Sequence, residues 1–119
     1  MTKQEKITDV LTRGVEEVID RGHLEKRLKG KEKLRIKLGI DPTSPNIHIG
    51  RAVTLWKLRA FQDLGHQVVF IVGDFTGLIG DTSDKDAERP MLTEAAVKQN
   101  LKTYFDQAFK ILDKNKTEL

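Results

Sequence analysis

The feature that most constrains the fold is a pair of short apolar segments separated by one amphipathic helix. Residues 34–38 alternate apolar and charged side chains, which predicts a strand with one buried face. Residues 68–72 are apolar throughout, as is typical of a parallel strand buried on both faces. Between them, apolar residues at three- and four-residue steps predict a helix that ends at Gly65. Residues 34–72 therefore form a strand–helix–strand unit, which we expect to be right-handed.

Helices are predicted on both sides of this unit. One runs from about residue 3 to 20 and ends at Gly22, and a short second helix ends at Gly30. Thr93 is the expected N-cap of a long helix with an apolar stripe. In the central helix, the expected core-facing stripe is Val53, Trp56, Ala60 and Leu64, with Leu55, Leu58 and Phe61 beside it. Two strands leave two open sheet edges, so the pattern indicates the first half of a larger fold.

Composition narrows the class of protein. A chain of 119 residues, 38% hydrophobic and 33% charged, is predicted to be one globular domain. It has no cysteine, its longest apolar run is too short to cross a bilayer, and no signal peptide is visible, so we expect a cytoplasmic location. Seven Lys or Arg residues lie within residues 26–37. A solvated helix end is the favoured interpretation of that run, and an RNA-facing patch is the alternative.

Two loops follow the carboxyl ends of the strands, where open α/β sheets bind their ligands. In the first loop, Pro42 and Pro45 stiffen the turn, and Gly50 lies at the start of the helix, where free amides favour an anion. The second loop, residues 73–81, contains three glycines. Neither loop has the pattern of a P-loop or of a dinucleotide fingerprint. Each feature taken singly also fits an ordinary turn or helix cap.

Three motifs in order are more specific than any one of them. They are Gly39-Ile40-Asp41-Pro42-Thr43, His48-Ile49-Gly50 and Gly73-Asp74-Phe75-Thr76-Gly77-Leu78-Ile79-Gly80-Asp81. Together they resemble class I aminoacyl-tRNA synthetases, in particular the bacterial tyrosyl-tRNA synthetases, over essentially the whole chain. The resemblance implies an α/β fold, the first half of a Rossmann-like class I synthetase catalytic domain with parallel strands and flanking helices. It implies a helical cap at 1–30, a strand–helix–strand nucleotide half at 31–92 and the start of a connective helix at 93–119.

The resemblance also implies a function, the ATP-dependent activation of tyrosine to tyrosyl-adenylate and its transfer to tRNA(Tyr). Thr43 and His48 match the pair that holds the ATP phosphates, and Arg51 occupies the next catalytic position. The implied ATP-binding residues are Gly39, Asp41, His48, Gly50 and Arg51. Thr76 and Asp81 match residues near the α-ammonium group of tyrosine, for which a carboxylate is a natural partner. Mg²⁺ is expected to come with the nucleotide, no metal site formed by protein side chains is expected, and the family homodimerises through its connective region.

The chain departs from the family pattern at several positions. The family signature ends His-Ile-Gly-His, whereas Arg51 stands at the second histidine, and Thr82-Ser83-Asp84 replaces Pro-Ser-Gly. A complete synthetase is several times longer, so the isolated chain is expected to be inactive or very weak. Two alternatives stay open. One is another HxGH-type adenylyl transferase or the tryptophanyl relative, and the other is a non-catalytic module that binds a nucleotide, or a partner through residues 93–112.

Overall fold

A computed structural model describes residues 1–40, 49–73 and 94–119. Its helices are α1 (Lys3–Thr12), α2 (Arg21–Lys29), α3 (Ile49–Asp63) and α4 (Glu94–Ala108). Its strands are β1 (Arg35–Ile40), β2 (Gln67–Val72) and β3 (Thr117–Glu118), with a 3₁₀ turn at Lys114–Lys116 before β3. The strands form a sheet of order β1-β2-β3 in which both pairings are parallel. The predicted strand–helix–strand unit with parallel strands is therefore confirmed.

The two faces of the sheet differ in burial. On one face, Ile36, Leu38 and Ile40 of β1 lie level with Val68, Phe70 and Val72 of β2 and pack against α3 and α4. On the other face, Lys37 and Gly39 are exposed, and Ile71 keeps 44% of its surface in contact with solvent. Within the described structure, the prediction that residues 68–72 are buried on both faces is wrong for Ile71, because no described layer covers the second face there.

Two hydrophobic clusters lie on either side of α3. The sheet core joins α3, β2, α4 and the segment after α4, and its buried residues are Leu55, Leu58, Val68, Phe70, Tyr104, Ala108 and Leu112. The cap core joins α1, α2 and the start of β1, and its buried residues are Ile7, Val10, Leu11, Leu28 and Leu34. Ala60, Phe61 and Leu64 of α3 pack against the cap core. Because α3 contributes to both clusters, and Ile36 of β1 packs against both, these two elements join the cap to the sheet.

The first helix is shorter than its apolar periodicity predicts. It ends at Thr12, because Arg13 has extended backbone angles and Gly14 takes a φ of +65°. Asp20 caps α2, with its carboxylate accepting a hydrogen bond from the His23 amide at 3.4 Å. Gly22 therefore lies inside α2 rather than ending α1, and that prediction is wrong. Gly30 does follow the second helix as predicted, as its C-cap.

The central helix faces the core differently from the predicted stripe. Val53 and Trp56 are 64% and 60% exposed, whereas Leu55, Leu58 and Gln62 are almost completely buried. Ala60 and Leu64 of the predicted stripe do pack against the cap core, so the prediction is wrong for Val53 and Trp56. The polar residue Gln62 instead occupies a core position. The predicted stop is confirmed, since α3 ends at Asp63 and Gly65 follows with a φ of +94°. The predicted cap residue Thr93 lies outside the described residues.

The third strand was not predicted. It contains two residues, Thr117 and Glu118, which pair with Val68 and Val69 of β2. Two polar residues after a polar turn give no strand signal of their own. Arg35 on the far strand reaches across β2 to Glu118, with Nε and Nη2 donating to the two carboxylate oxygens at 3.0 and 3.2 Å. This bidentate pair ties the two edge strands together.

Candidate functional site

The carboxyl ends of β1 and β2 lie side by side, as the sequence predicts for a ligand-binding edge. Ile40 pairs with Val72, and the Gly73 amide donates to the Ile40 carbonyl at 3.0 Å, so the two strands end level. Residues 41–48 and 74–93, which follow these strand ends in the sequence, lie outside the described residues. Open parallel sheets bind ligands at such an edge. We call it the carboxyl edge.

Three of the predicted site residues lie within the described structure. Gly39 is exposed in β1, next to Ile71 in the register. Gly50 is exposed and Arg51 is partly buried in the first turn of α3. The other predicted site residues, Asp41, Thr43, His48, Thr76 and Asp81, lie outside the described residues, so their roles stay predictions.

The start of α3 has an electrostatic character that suits an anion. Its first turn contains no acidic residue, and Arg51 adds a permanent positive charge there. The positive end of the helix dipole acts in the same direction. Phosphate groups near this turn would therefore meet donors and positive charge. Among the described residues, no cluster of three or more His, Asp or Glu side chains could hold a metal ion.

The helix that begins at this turn is fixed on its sheet side by a buried amide. Gln62 is 1% exposed, and its Nε2 lies 3.2 Å from the Asp113 carbonyl oxygen, 3.0 Å from that of Lys116 and 2.9 Å from Thr117 Oγ1. Its Oε1 accepts from the Asp113 amide at 2.9 Å. We call this set of bonds the Gln62 network. It holds the turn before β3 against α3.

The same helix is fixed on its cap side by a lysine and a histidine. Lys57 Nζ donates to the Val10 carbonyl at 3.0 Å and to the Arg13 carbonyl at 2.7 Å, at the C-terminus of α1. Burial lowers the pKa of Lys57, although the nearby Asp9 carboxylate opposes that effect. His66, after α3, is 4% exposed, and its Nδ1 accepts from the Leu34 amide at 3.1 Å. Burial, and to a lesser extent the charge of Lys3, lowers the pKa of His66.

Sequence reasoning missed these anchoring residues, although one signal was available. Gln62 follows Leu55 and Leu58 at helical spacing, so it continues the apolar stripe of α3. A polar residue on a buried stripe must find partners, and it is a candidate for a structural network. Lys57 and His66 gave no such signal, because their partners are backbone atoms of distant residues.

Comparison with known proteins identifies the family. The family model described as tRNA synthetases class I (W and Y) matches residues 28–119. A tyrosine–tRNA ligase of Thermotoga maritima is 55% identical over the whole chain, which covers 29% of that protein. A tyrosine–tRNA ligase of Aromatoleum aromaticum is 48% identical, again over the whole chain and 30% of that protein.

Two solved structures show the same fold at low sequence identity. A C-terminally truncated mitochondrial tyrosyl-tRNA synthetase of Aspergillus nidulans has a TM-score of 0.60 at 21% identity, covering 91% of this chain and 34% of that chain. The Leishmania major tyrosyl-tRNA synthetase in complex with tyrosinol has a TM-score of 0.62 at 21% identity, covering 98% of this chain and 17% of that chain.

The chain therefore belongs to the class I tRNA synthetase family that comprises the tryptophan and tyrosine enzymes. The curated relatives named above, which match it over its whole length, are tyrosine–tRNA ligases, and the chain spans about 30% of their length. The Rossmann-like, class I fold expected from the sequence is confirmed by the solved structures. None of the helices that the structure describes has both the length and the apolar character needed to cross a bilayer.

Proposed function

We propose that this chain forms the ATP-binding part of a tyrosine–tRNA ligase. The observation that supports this most directly is identity of 48% and 55% to tyrosine–tRNA ligases along the entire chain. The level ends of β1 and β2 and the anion-favouring first turn of α3 agree with it. In this proposal the chain acts in the cytoplasm on tyrosine, ATP and tRNA(Tyr), together with the segments that complete the longer relatives.

The proposed reaction needs positioning and charge stabilisation rather than a covalent nucleophile from the protein. A carboxylate oxygen of tyrosine attacks the α-phosphorus of ATP, the bond to the bridging oxygen breaks, and pyrophosphate leaves. The product is tyrosyl-adenylate, a mixed anhydride. A hydroxyl of the terminal ribose of the tRNA then takes the tyrosyl group, which forms the ester and releases AMP. Thr43 and His48 would hold the phosphates as charge shifts to the leaving pyrophosphate. Mg²⁺ would be bound chiefly by the ATP phosphates and would neutralise part of their charge.

The other predicted site residues have their own proposed roles in this reaction. Gly50 offers backbone without a side chain, against which the adenine can lie, and Gly39 and Asp41 would line the same site. Arg51 would replace an imidazole donor by a guanidinium, which keeps a hydrogen-bond donor and adds charge next to the phosphates. Thr76 and Asp81 would bind the α-ammonium group of tyrosine.

The incomplete sheet supports the proposed domain organisation. β1 is an edge strand in the described sheet, and the face containing Gly39 and Ile71 is partly open. Parallel sheets normally bury both faces. We therefore place a cap at 1–30, a nucleotide half at 31–92 and the start of a connective helix at 93–119, with the second half of the domain packing on the open face. Homodimerisation through the connective region belongs to the same proposal.

A chimera tests the proposal directly. The chain replaces the matching 29% of the Thermotoga maritima enzyme, to which it is 55% identical, and ATP–pyrophosphate exchange is measured with each amino acid. Exchange that depends on tyrosine is the expected result. The matched variant His48→Ala should lower the exchange rate far more than it weakens ATP binding, because the proposed contact acts mainly in the transition state. Exchange driven by tryptophan, or no exchange in a folded chimera, would contradict the proposal.

One observation favours a second function. Arg51 stands where the family has its second histidine, so the site could retain nucleotide binding without catalysis. In that case the chimera binds ATP but performs no exchange, and Arg51→His restores exchange. If Arg51→His leaves a working exchange rate unchanged, arginine is a functional substitute and the ligase proposal is strengthened.

A further inference from the structure

A basic surface surrounds Gly30 at the amino end of β1, opposite the carboxyl edge. Its exposed lysines come from three elements that the chain brings together: Lys3 of α1, Lys26 and Lys29 of α2, and Lys31 and Lys33 of the connection to β1. Lys3 Nζ donates to the Gly30 carbonyl at 3.3 Å, which places α1 in this group. We call this set of five lysines the Gly30 surface.

Much of this charge is not compensated locally. Arg27 pairs with Glu32 at 2.8 Å and Lys29 pairs with Glu25 at 3.2 Å, so the nearby carboxylates are already engaged. Within the described parts of the chain, Lys26, Lys31 and Lys33 have no acidic partner and no hydrogen-bond acceptor of their own. These three exposed ammonium groups suit an anionic partner that the described residues do not supply.

The backbone beneath these lysines is held in place. Leu28 and Leu34, on either side of the connection, are 1% and 5% exposed in the cap core. The Leu34 amide is bonded to His66 and the Gly30 carbonyl to Lys3. An ordered backbone lowers the entropy cost of binding a partner. Only the flexible lysine side chains must be restrained.

We propose that the Gly30 surface binds the phosphate backbone of RNA and, resting on the proposed function above, that of the substrate tRNA. Lysines without aromatic neighbours suit phosphate contacts, which position an RNA without reading its bases. The surface lies one strand away from the carboxyl edge, about 20 Å for a six-residue strand. It would contact the body of the RNA and not its reacting end. It should therefore affect tRNA binding and leave tyrosine activation unchanged.

The direct test is a fluorescence-anisotropy titration of labelled tRNA(Tyr) with the 119-residue chain at several salt concentrations between 50 and 200 mM. The variant Lys31→Gln/Lys33→Gln removes two charges from the Gly30 surface. It should weaken binding on the order of tenfold and lower the slope of log K against log salt by about two, one for each lost phosphate contact. The control Lys102→Gln/Lys110→Gln removes two exposed charges from α4 and the residues after it, and should change neither value appreciably.

Each outcome decides the proposal. Equal losses of tRNA affinity in both double variants would show that binding responds only to net charge, and would overturn the proposal. No loss of affinity in either variant would also overturn it. Binding to vesicles of anionic phospholipid that needs Lys31 and Lys33, without binding to tRNA, would assign the surface to a membrane instead. In the chimera, Lys31→Gln/Lys33→Gln should raise the KM for tRNA without changing ATP–pyrophosphate exchange. If the unmodified chimera shows no exchange, the ligase proposal fails while the tRNA titration still judges the Gly30 surface.

Discussion

The two sides of α3 are held to the rest of the protein by different chemistry. On the sheet side, the Gln62 network is uncharged and lies beside the sheet core, and the Arg59 guanidinium also donates to the Ile111 carbonyl. On the cap side, the links are the Lys57 ammonium and the imidazole of His66, both of which titrate. A neutral amide keeps its hydrogen bonds at any ordinary pH, whereas a histidine acceptor is lost when it is protonated. The comparison predicts a sheet side that is indifferent to pH and a cap side that acid loosens.

The largest expected effect tests the sheet side. Gln62→Leu keeps the volume of a core position but removes the acceptor of the Asp113 amide and a donor to the Lys116 carbonyl. Unsatisfied buried groups cost about 1–3 kcal/mol each, so we expect the free energy of unfolding to fall by about 3 kcal/mol in urea denaturation. Gln99→Leu, at an exposed site on α4, is the control and should change stability by less than about 0.5 kcal/mol. Similar changes in the free energy of unfolding for the two variants would show that the Gln62 network does not stabilise the fold.

Gln62 also marks the limit of what could be predicted about the fold from the sequence. The β1–α3–β2 unit was predictable, because alternation in β1, an apolar run in β2 and the stop at Gly65 are local signals. β3 was not predictable, because its two polar residues join the sheet through β2, the Gln62 network and the Arg35–Glu118 pair, all of them contacts with distant residues. Long-range hydrogen bonds leave no periodic trace in a sequence. The same reason explains why the buried face of α3 was misassigned to Val53 and Trp56.

The candidate site, like the fold, could be predicted only in part from the sequence. The ordered motifs indicate Gly39, Gly50 and Arg51. Gly39 lies in β1, and the other two lie in the first turn of α3. Their assignment depended on resemblance, since a glycine at a strand end or a helix start has many ordinary causes. The early end of α1 was missed because Val15, Val18 and Ile19 continue the helical spacing beyond Gly14, whose positive φ breaks the helix. Periodicity alone does not register a change in backbone conformation.

The next largest effect tests the charged link on the cap side. Lys57→Met keeps much of the aliphatic stem but removes the ammonium group from the C-terminal carbonyls of α1. Hydrogen bonds from a charged donor, helped by the helix dipole, predict a loss of about 1–2 kcal/mol. Amide exchange should accelerate most in α1 and least in β2. Lys102→Met on α4 serves as the exposed control, and uniform acceleration across the chain would show that Lys57 does not act locally.

The pH dependence of the cap side rests on His66. Burial holds its folded-state pKa below the ordinary value of 6.5, so between the two pKa values the unfolded chain binds more protons than the folded one. Stability should therefore be complete above pH 6.5, fall as the pH drops towards the folded pKa, and level off below it. Urea midpoints from pH 8 to 5, with amide exchange at Leu34, measure this. His66→Gln should flatten the curve, and an unchanged curve in that variant would assign the titration to other groups.

The smallest effect concerns the sheet side again and has the opposite sign. Tyr104 is 1% exposed and stacks on Phe70 with ring centroids 6.2 Å apart, and its hydroxyl is the only buried side-chain polar atom without a hydrogen-bond partner that is identified in the described structure. Tyr104→Phe removes that hydroxyl and retains the ring. The 119-residue chain should gain up to about 1 kcal/mol of stability, because an unsatisfied buried group is deleted.

The chimera provides the contrast: if the second half of the domain offers the hydroxyl an acceptor, the same change will destabilise the chimera. A loss of stability in the isolated chain would mean that the hydroxyl already has a partner within residues 1–119, and that the sheet core is as fully satisfied as the Gln62 network beside it.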